Sequence, residues 1–164
     1  MRQLTASVLI VASLALAGCT SYRPLYGAGA DGKGVAVALS GIAVEEQRDR
    51  AGQIVRNNLI SSFGGGGSSF ILRLKPVEKS QLLSTSSGQK VDRHRYNLRV
   101  GYELADAKSG DAIISGSSFS NVSYDTVEQP IADLRAAENA RERAAREVAE
   151  DIRLRLAAHF SSIQ

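Results

Sequence analysis

The run from Arg93 to Leu104 constrains the fold more than any other stretch of this chain. His94, Tyr96, Leu98, Val100, Tyr102 and Leu104 alternate with Arg93, Arg95, Asn97 and Arg99. Successive side chains of a strand point to opposite faces, so this two-residue period makes a strand with one apolar side and one cationic side. Such a strand belongs in a sheet whose apolar face is covered and whose other face meets water. A second run repeats the pattern: Phe70, Leu72 and Leu74 alternate with Ile71, Arg73 and Lys75. Between Asp106 and Asp111, Ala107-Lys108-Ser109-Gly110 predicts a hairpin turn. The Ser-rich run that follows, Ala112 to Tyr124, carries Ile113, Ile114, Phe119, Val122 and Tyr124. Its weak alternation predicts an edge or partly exposed strand.

The cover for the apolar face comes from two segments of helical period. From Glu46 onward, Ala51, Ile54, Val55, Leu59 and Phe63 make one helical face, and Gly64 to Gly67 end it in what reads as a flexible turn. Pro130 opens a longer helix, a favourable place for proline. Its apolar stripe is Leu134, Ala137, Ala144, Ala145, Val148, Ile152, Leu156 and Phe160, and Glu142–Arg146 and Asp151–Arg155 are opposite-charge pairs four residues apart. Upstream, Val35, Val37 and Leu39, followed after Gly41 by Ile42 and Val44, predict a first strand with a bulge near Gly41. The order β-α-β-β-β-α predicts an α+β fold of two layers, two amphipathic helices packed on one face of a four-stranded sheet. Residues 35–164 are expected to form one domain.

The N-terminus adds a location. Arg2 is followed by an apolar run from Leu4 to Ala17, and Leu16-Ala17-Gly18-Cys19 closes it. A charged start, a short apolar stretch and small residues at the end make a secretory signal, too short to span a bilayer. Cysteine at the cut site makes it a bacterial lipoprotein signal over residues 1–18, with Cys19 the lipidated residue. Each buried methylene contributes roughly 0.8 kcal/mol, so two or three acyl chains anchor stably. Thr20 stands where an inner-membrane retention signal often carries Asp, which favours the outer membrane. Residues 19–34, rich in Gly and Ala, read as a tether.

Cys19 is the only cysteine, and lipidation consumes it, so a disulfide framework, a zinc cluster and a cysteine nucleophile are excluded. No Gly-x-Ser-x-Gly elbow and no His-Glu-x-x-His motif is present. The glycine run lacks the Gly-Lys-Ser/Thr of a phosphate loop. No cofactor is expected beyond the covalent lipid, and no nucleic-acid partner. The formal charge is only +3, so function depends on where charges lie. Arg73 and Lys75 share parity, as do Arg93, Arg95 and Arg99, and five cations on one sheet face suit a phosphorylated anionic ligand. A solvated strand face without a ligand is the other reading of the same residues. The connection from Glu78 to Lys90 reads as a long loop with adjacent Leu82 and Leu83, either an apolar contact tip or a floppy hairpin.

These segments together resemble the LPS-assembly lipoprotein family LptE in its alphaproteobacterial form. Cys19-Thr20-Ser21-Tyr22-Arg23-Pro24-Leu25-Tyr26-Gly27 is similar to its post-cysteine segment, with one extra residue and Tyr for Phe. The stretch Asp49 to Leu59 resembles its first helix, Tyr96 to Leu104 its central strand, and Ser123-Tyr124-Asp125 with the helix to Phe160 its closing region. Pro130-Ile131-Ala132 departs from the expected aromatic-Ala pair. The resemblance implies a β-α-β-β-β-α-like fold and a non-enzymatic subunit that sits inside the large β-barrel LptD and helps insert lipopolysaccharide into the outer leaflet. Lipopolysaccharide phosphates would then be the ligand of Arg73, Lys75, Arg93, Arg95 and Arg99, and the barrel the contact of Leu82 and Leu83. An accessory subunit of another envelope lipid transporter is the runner-up, and a periplasmic hydrolase a third class.

Overall fold

The computed structural model describes residues 34–86 and 91–163. Cys19, the signal and nearly all of the tether lie outside the described residues. The elements are α1 (Val35–Ser40), β1 (Ile42–Val44), α2 (Arg50–Phe63), β2 (Phe70–Ser86), β3 (Val91–Asp106), β4 (Ala112–Thr126) and α3 (Pro130–Ser162). One four-stranded sheet has the order β1-β2-β3-β4, with β1 parallel to β2 and the other two pairings antiparallel. The α+β architecture anticipated from the sequence is the one found.

The alternation in β3 has the expected consequence. Tyr96, Leu98, Val100, Tyr102 and Leu104 are buried, while Arg93, Arg95 and Arg99 are exposed. Leu72 and Leu74 on β2 and Val122 on β4 complete the covered side. Against them lie Val55, Leu59 and Phe63 of α2 and Val148, Ile152, Leu156 and Phe160 of α3. Alanines at 140, 144, 145, 149 and 157 line the buried stripe of α3. Where the helix meets β4, the strand also carries small buried residues, Ser118 and Ser120, and Ser120 donates to Glu147 at 2.5 Å. Small side chains on both surfaces allow close approach of helix and strand. The α3 stripe begins later than its period suggested: Leu134 is exposed, and burial starts at Ala140.

Local chemistry sets the ends of α2. The Asp49 carboxylate accepts from the Gly52 N–H at 2.7 Å, and Gly64 closes the helix at φ 73°. The glycine run is more than a turn. A Cβ on Gly67 would lie 2.3 Å from the Gly41 Cα, so two backbone segments touch there.

Two expectations are corrected. Val35 to Ser40 is a helix, not a strand. Val35 and Leu39 are buried and Val37 is exposed, which is an i, i+4 face; alternation over so few residues fits either period. Burial of the pair against the core overrides the strand preference of valine. Secondly, Glu78 to Ser86 is not a loop: β2 continues through it and pairs with β3 as far as Ser86 opposite Val91. Leu82 and Leu83 therefore sit in a strand, at a register shift between Leu82 and Ser84, with 56% and 41% exposure. The polar residues that hid this strand have partners on its helix side. Tyr96 donates to Glu78, and Arg141 of α3 reaches the same carboxylate at 3.2 Å. Arg141 also pairs with Glu138, which Arg50 of α2 meets at 3.2 Å. Burial, and then the bond to Glu78, push the Tyr96 phenol up from its ordinary range, so it is a proton donor at neutral pH.

Candidate functional site

The helix-free face of the sheet carries the candidate site. Parity and register place Arg73, Lys75, Arg93, Arg95 and Arg99 together on it. Across β2, β3 and β4 the rows are Arg73–Glu103–Ser115, Lys75–Gly101–Ser117, Val77–Arg99–Phe119, Lys79–Asn97–Asn121, Gln81–Arg95–Ser123 and Ser84–Arg93–Asp125. Rows two residues apart stand about 7 Å from each other, so the cations form a long stripe.

The five are not equivalent. Arg73 is held by Glu103 at 2.7 Å and Arg93 by Asp125 at 2.8 Å. The Arg93 bond holds the Asp125 carboxyl below its usual range, so that end of the stripe is electrically balanced. Lys75, Arg95 and Arg99 have no acidic partner among the described residues. Lys79 joins them on the same face, also without one. Sequence reasoning missed Lys79 because its segment read as loop; the Arg73, Lys75, Val77, Lys79 parity was the available signal.

Between these unpaired cations lies an apolar spot. Val77 is 66% and Phe119 64% exposed, and the Arg99 guanidinium sits 5.7 Å from the Phe119 ring centre. They line a shallow hollow of about 320 Å³ with Lys79, Asn97 and Asn121. Phe119 was grouped with Val122 and Tyr124 in the sequence, but its odd parity puts it on the opposite face. Leu82 and Leu83 lie along β2 from the hollow, near the far end of the β2–β3 hairpin. The described residues contain no cluster of three or more His, Cys, Asp or Glu able to hold a metal. None of their helices is long and apolar enough to cross a membrane.

The fold and this face define a class: a two-layer α+β domain with one side sealed by helices and the other open, cationic and apolar at its centre. The comparisons narrow it. The family model for LptE, lipopolysaccharide-assembly, matches residues 35–156, and the chain belongs to this family. Its members are non-enzymatic, envelope-associated lipopolysaccharide-assembly lipoproteins, which removes the hydrolase alternative. Among solved structures, one from Caulobacter crescentus CB15 described as a lipoprotein is 28% identical, with a TM-score of 0.71 over 79% of this chain and 97% of that one. A minor lipoprotein from Acinetobacter baumannii is 14% identical, with a TM-score of 0.55 over 72% of this chain and 89% of that one, and shares the fold. No curated protein matches the chain.

Proposed function

We propose that this domain contacts lipopolysaccharide through its open sheet face, anchored to the outer membrane by lipid on Cys19 and seated in the LptD barrel, with Leu82 and Leu83 against the barrel. The observation that carries the ligand contact is the set of four cations without an acidic partner among the described residues, Lys75, Lys79, Arg95 and Arg99, around Val77 and Phe119. Phosphates pair with the cations, and acyl chains cover the apolar spot. Family membership supports the same reading.

The test uses the full lipoprotein in detergent and phosphorylated lipid A. Charge reversal at Lys79 and Arg95 together is expected to weaken binding about tenfold or more, equivalent to about 1.4 kcal/mol. Reversal at Arg73, already paired with Glu103, has the smaller effect. Parent binding falls with salt, because exposed charges are screened over about 8 Å at physiological ionic strength. A double variant that binds like the parent in low salt reduces the face to a solvated surface. Co-purification of LptD from solubilised outer membranes separates this reading from an accessory of another lipid transporter.

The anchor has its own test. Replacing Cys19 by Ser removes the thiol that accepts diacylglycerol, so palmitate labelling and outer-membrane retention are expected to disappear. Normal labelling of Cys19→Ser would end the lipoprotein assignment.

A further inference from the structure

The two long edges of the sheet differ. On β2, the Leu72 carbonyl accepts from Glu45 at 3.0 Å, so Leu72 turns its backbone groups away from β3. Backbone direction alternates along a strand, so Leu74, Pro76, Glu78 and Ser80 also face that edge. Pro76 has no N–H to offer, and Lys75 and Lys79 flank it; proline and lysine are the usual blocks to strand pairing. On β4, the Ser123 carbonyl is reached by Arg143 of α3 at 3.4 Å, so Ser123 turns outward, and with it Ser117, Phe119 and Asn121. From Ala112 to Tyr124 this edge carries no charge and no proline.

Beside the β4 edge runs an open groove of about 400 Å³ between the strand and α3. Tyr124 lines it from the strand, and Ala136, Asn139, Glu142, Arg143 and Arg146 line it from the helix. Arg143 makes no ion pair among the described residues, and Arg146 is only loosely held by Glu142 at 3.9 Å. An unblocked edge next to a helix-walled groove is the geometry in which an extended peptide adds as a further strand.

We infer that β4 accepts an extended acidic peptide segment of a partner protein as a fifth, antiparallel strand. Its backbone pairs with the outward groups of Ser117, Phe119, Asn121 and Ser123. In antiparallel pairing, the peptide residues bonded to these positions point their side chains to the open face beside Phe119. The intervening residues point into the groove, where Arg143 and Arg146 select carboxylates. The peptide replaces Arg143 at the Ser123 carbonyl and pairs with the freed guanidinium. This surface adjoins the lipopolysaccharide face at Phe119 and Asn121, but backbone pairing to the β4 edge and the groove cations Arg143 and Arg146 do not rest on lipopolysaccharide contact.

The probe is a dye-labelled, end-blocked octapeptide of alternating Glu and Val, titrated by anisotropy into the full lipoprotein in detergent. Saturable binding is expected, with slowed amide exchange at Ser117, Phe119 and Asn121. N-methylation at the Val nitrogens, which face β4, abolishes binding; N-methylation at the Glu nitrogens, which face away, leaves it within about threefold. The Arg143→Glu/Arg146→Glu variant, if it melts like the parent, binds at least tenfold more weakly. Should this variant misfold, a peptide with Lys in place of Glu gives the same comparison on the parent. Equal binding of the Glu and Lys peptides, equal loss from both N-methyl series, or no change in β4 exchange overturns the inference. So does a dimer in sedimentation whose β4 amides are already protected without peptide, because the edge is then occupied by a second copy.

Discussion

Ile152→Asp is expected to leave no cooperatively folded domain at 25 °C. Ile152 has 0% exposure in the middle of the α3 stripe, between Val148 and Leu156, which are equally buried. Removing the branched side chain alone costs about 2–5 kcal/mol. The carboxylate that replaces it has no buried cation to meet among the described residues: the buried polar residues are Ser118 and Ser120, and Arg153 and Arg155 are already paired with Glu150 and Asp151. An unpaired buried polar group adds a cost of similar size, and the sum rivals the roughly 5–15 kcal/mol that holds a domain folded. The comparison is Ile54→Asp on α2, whose site is only half-buried and whose loss is correspondingly smaller. Circular dichroism melts decide it. A parent-like transition in Ile152→Asp would mean that α3 does not pack on the sheet through this stripe.

Gly67→Ala is expected to be the most damaging alanine substitution among the described glycines, at about 2–3 kcal/mol, the upper part of the usual range for overpacking. The new Cβ would stand 2.3 Å from the Gly41 Cα, 2.5 Å from its carbonyl carbon and 2.5 Å from the Ser40 carbonyl oxygen. All three are backbone atoms and cannot swing aside. They are also tied in place: the Gly67 N–H donates to Ser40 and the Ser69 N–H to Gly41, both at 3.0 Å. Relief of the clash must therefore break the joint between the α1–β1 corner and the start of β2. Gly66→Ala is the control, since a Cβ there meets nothing within 4 Å. Denaturant midpoints at constant slope compare the two directly. If Gly67→Ala and Gly66→Ala fall within about 0.5 kcal/mol of each other, the close approach does not exist in solution.

Legibility followed the length and regularity of each pattern. β3 could be read in full because its period runs unbroken from Arg93 to Leu104, and only a strand with one covered face satisfies it. The hairpin at Asp106–Asp111 was readable from turn chemistry: the Asp106 carboxylate accepts the N–H groups of Lys108 and Ser109, and Gly110 takes φ 78°. The far half of β2 was not readable. Glu78 and Ser80 occupy its helix side, where the period calls for apolar residues, and only their partners Tyr96, Arg141 and Tyr124 account for them. Those partners come from β3, α3 and β4, far away in the chain. The same blind spot concealed Lys79 from the candidate site.

Which way a side chain points depends on the backbone repeat alone, a local property, so the chain's own residues determined the two layers, the buried face of β3 and the shared side of Arg73, Lys75, Arg93, Arg95 and Arg99. Whether a charge on that side is free depends on what stands opposite it, and that is a matter of register between strands. Register placed Glu103 beside Arg73 and Asp125 beside Arg93, and left Lys75, Lys79, Arg95 and Arg99 open around Phe119. A bulge at Leu83 and another near Ile113 shift the pairing along the strands. One residue of slip reverses the face of every side chain beyond it. The composition of the open face was therefore decided by tertiary pairing, because no single strand carries the information about its neighbour.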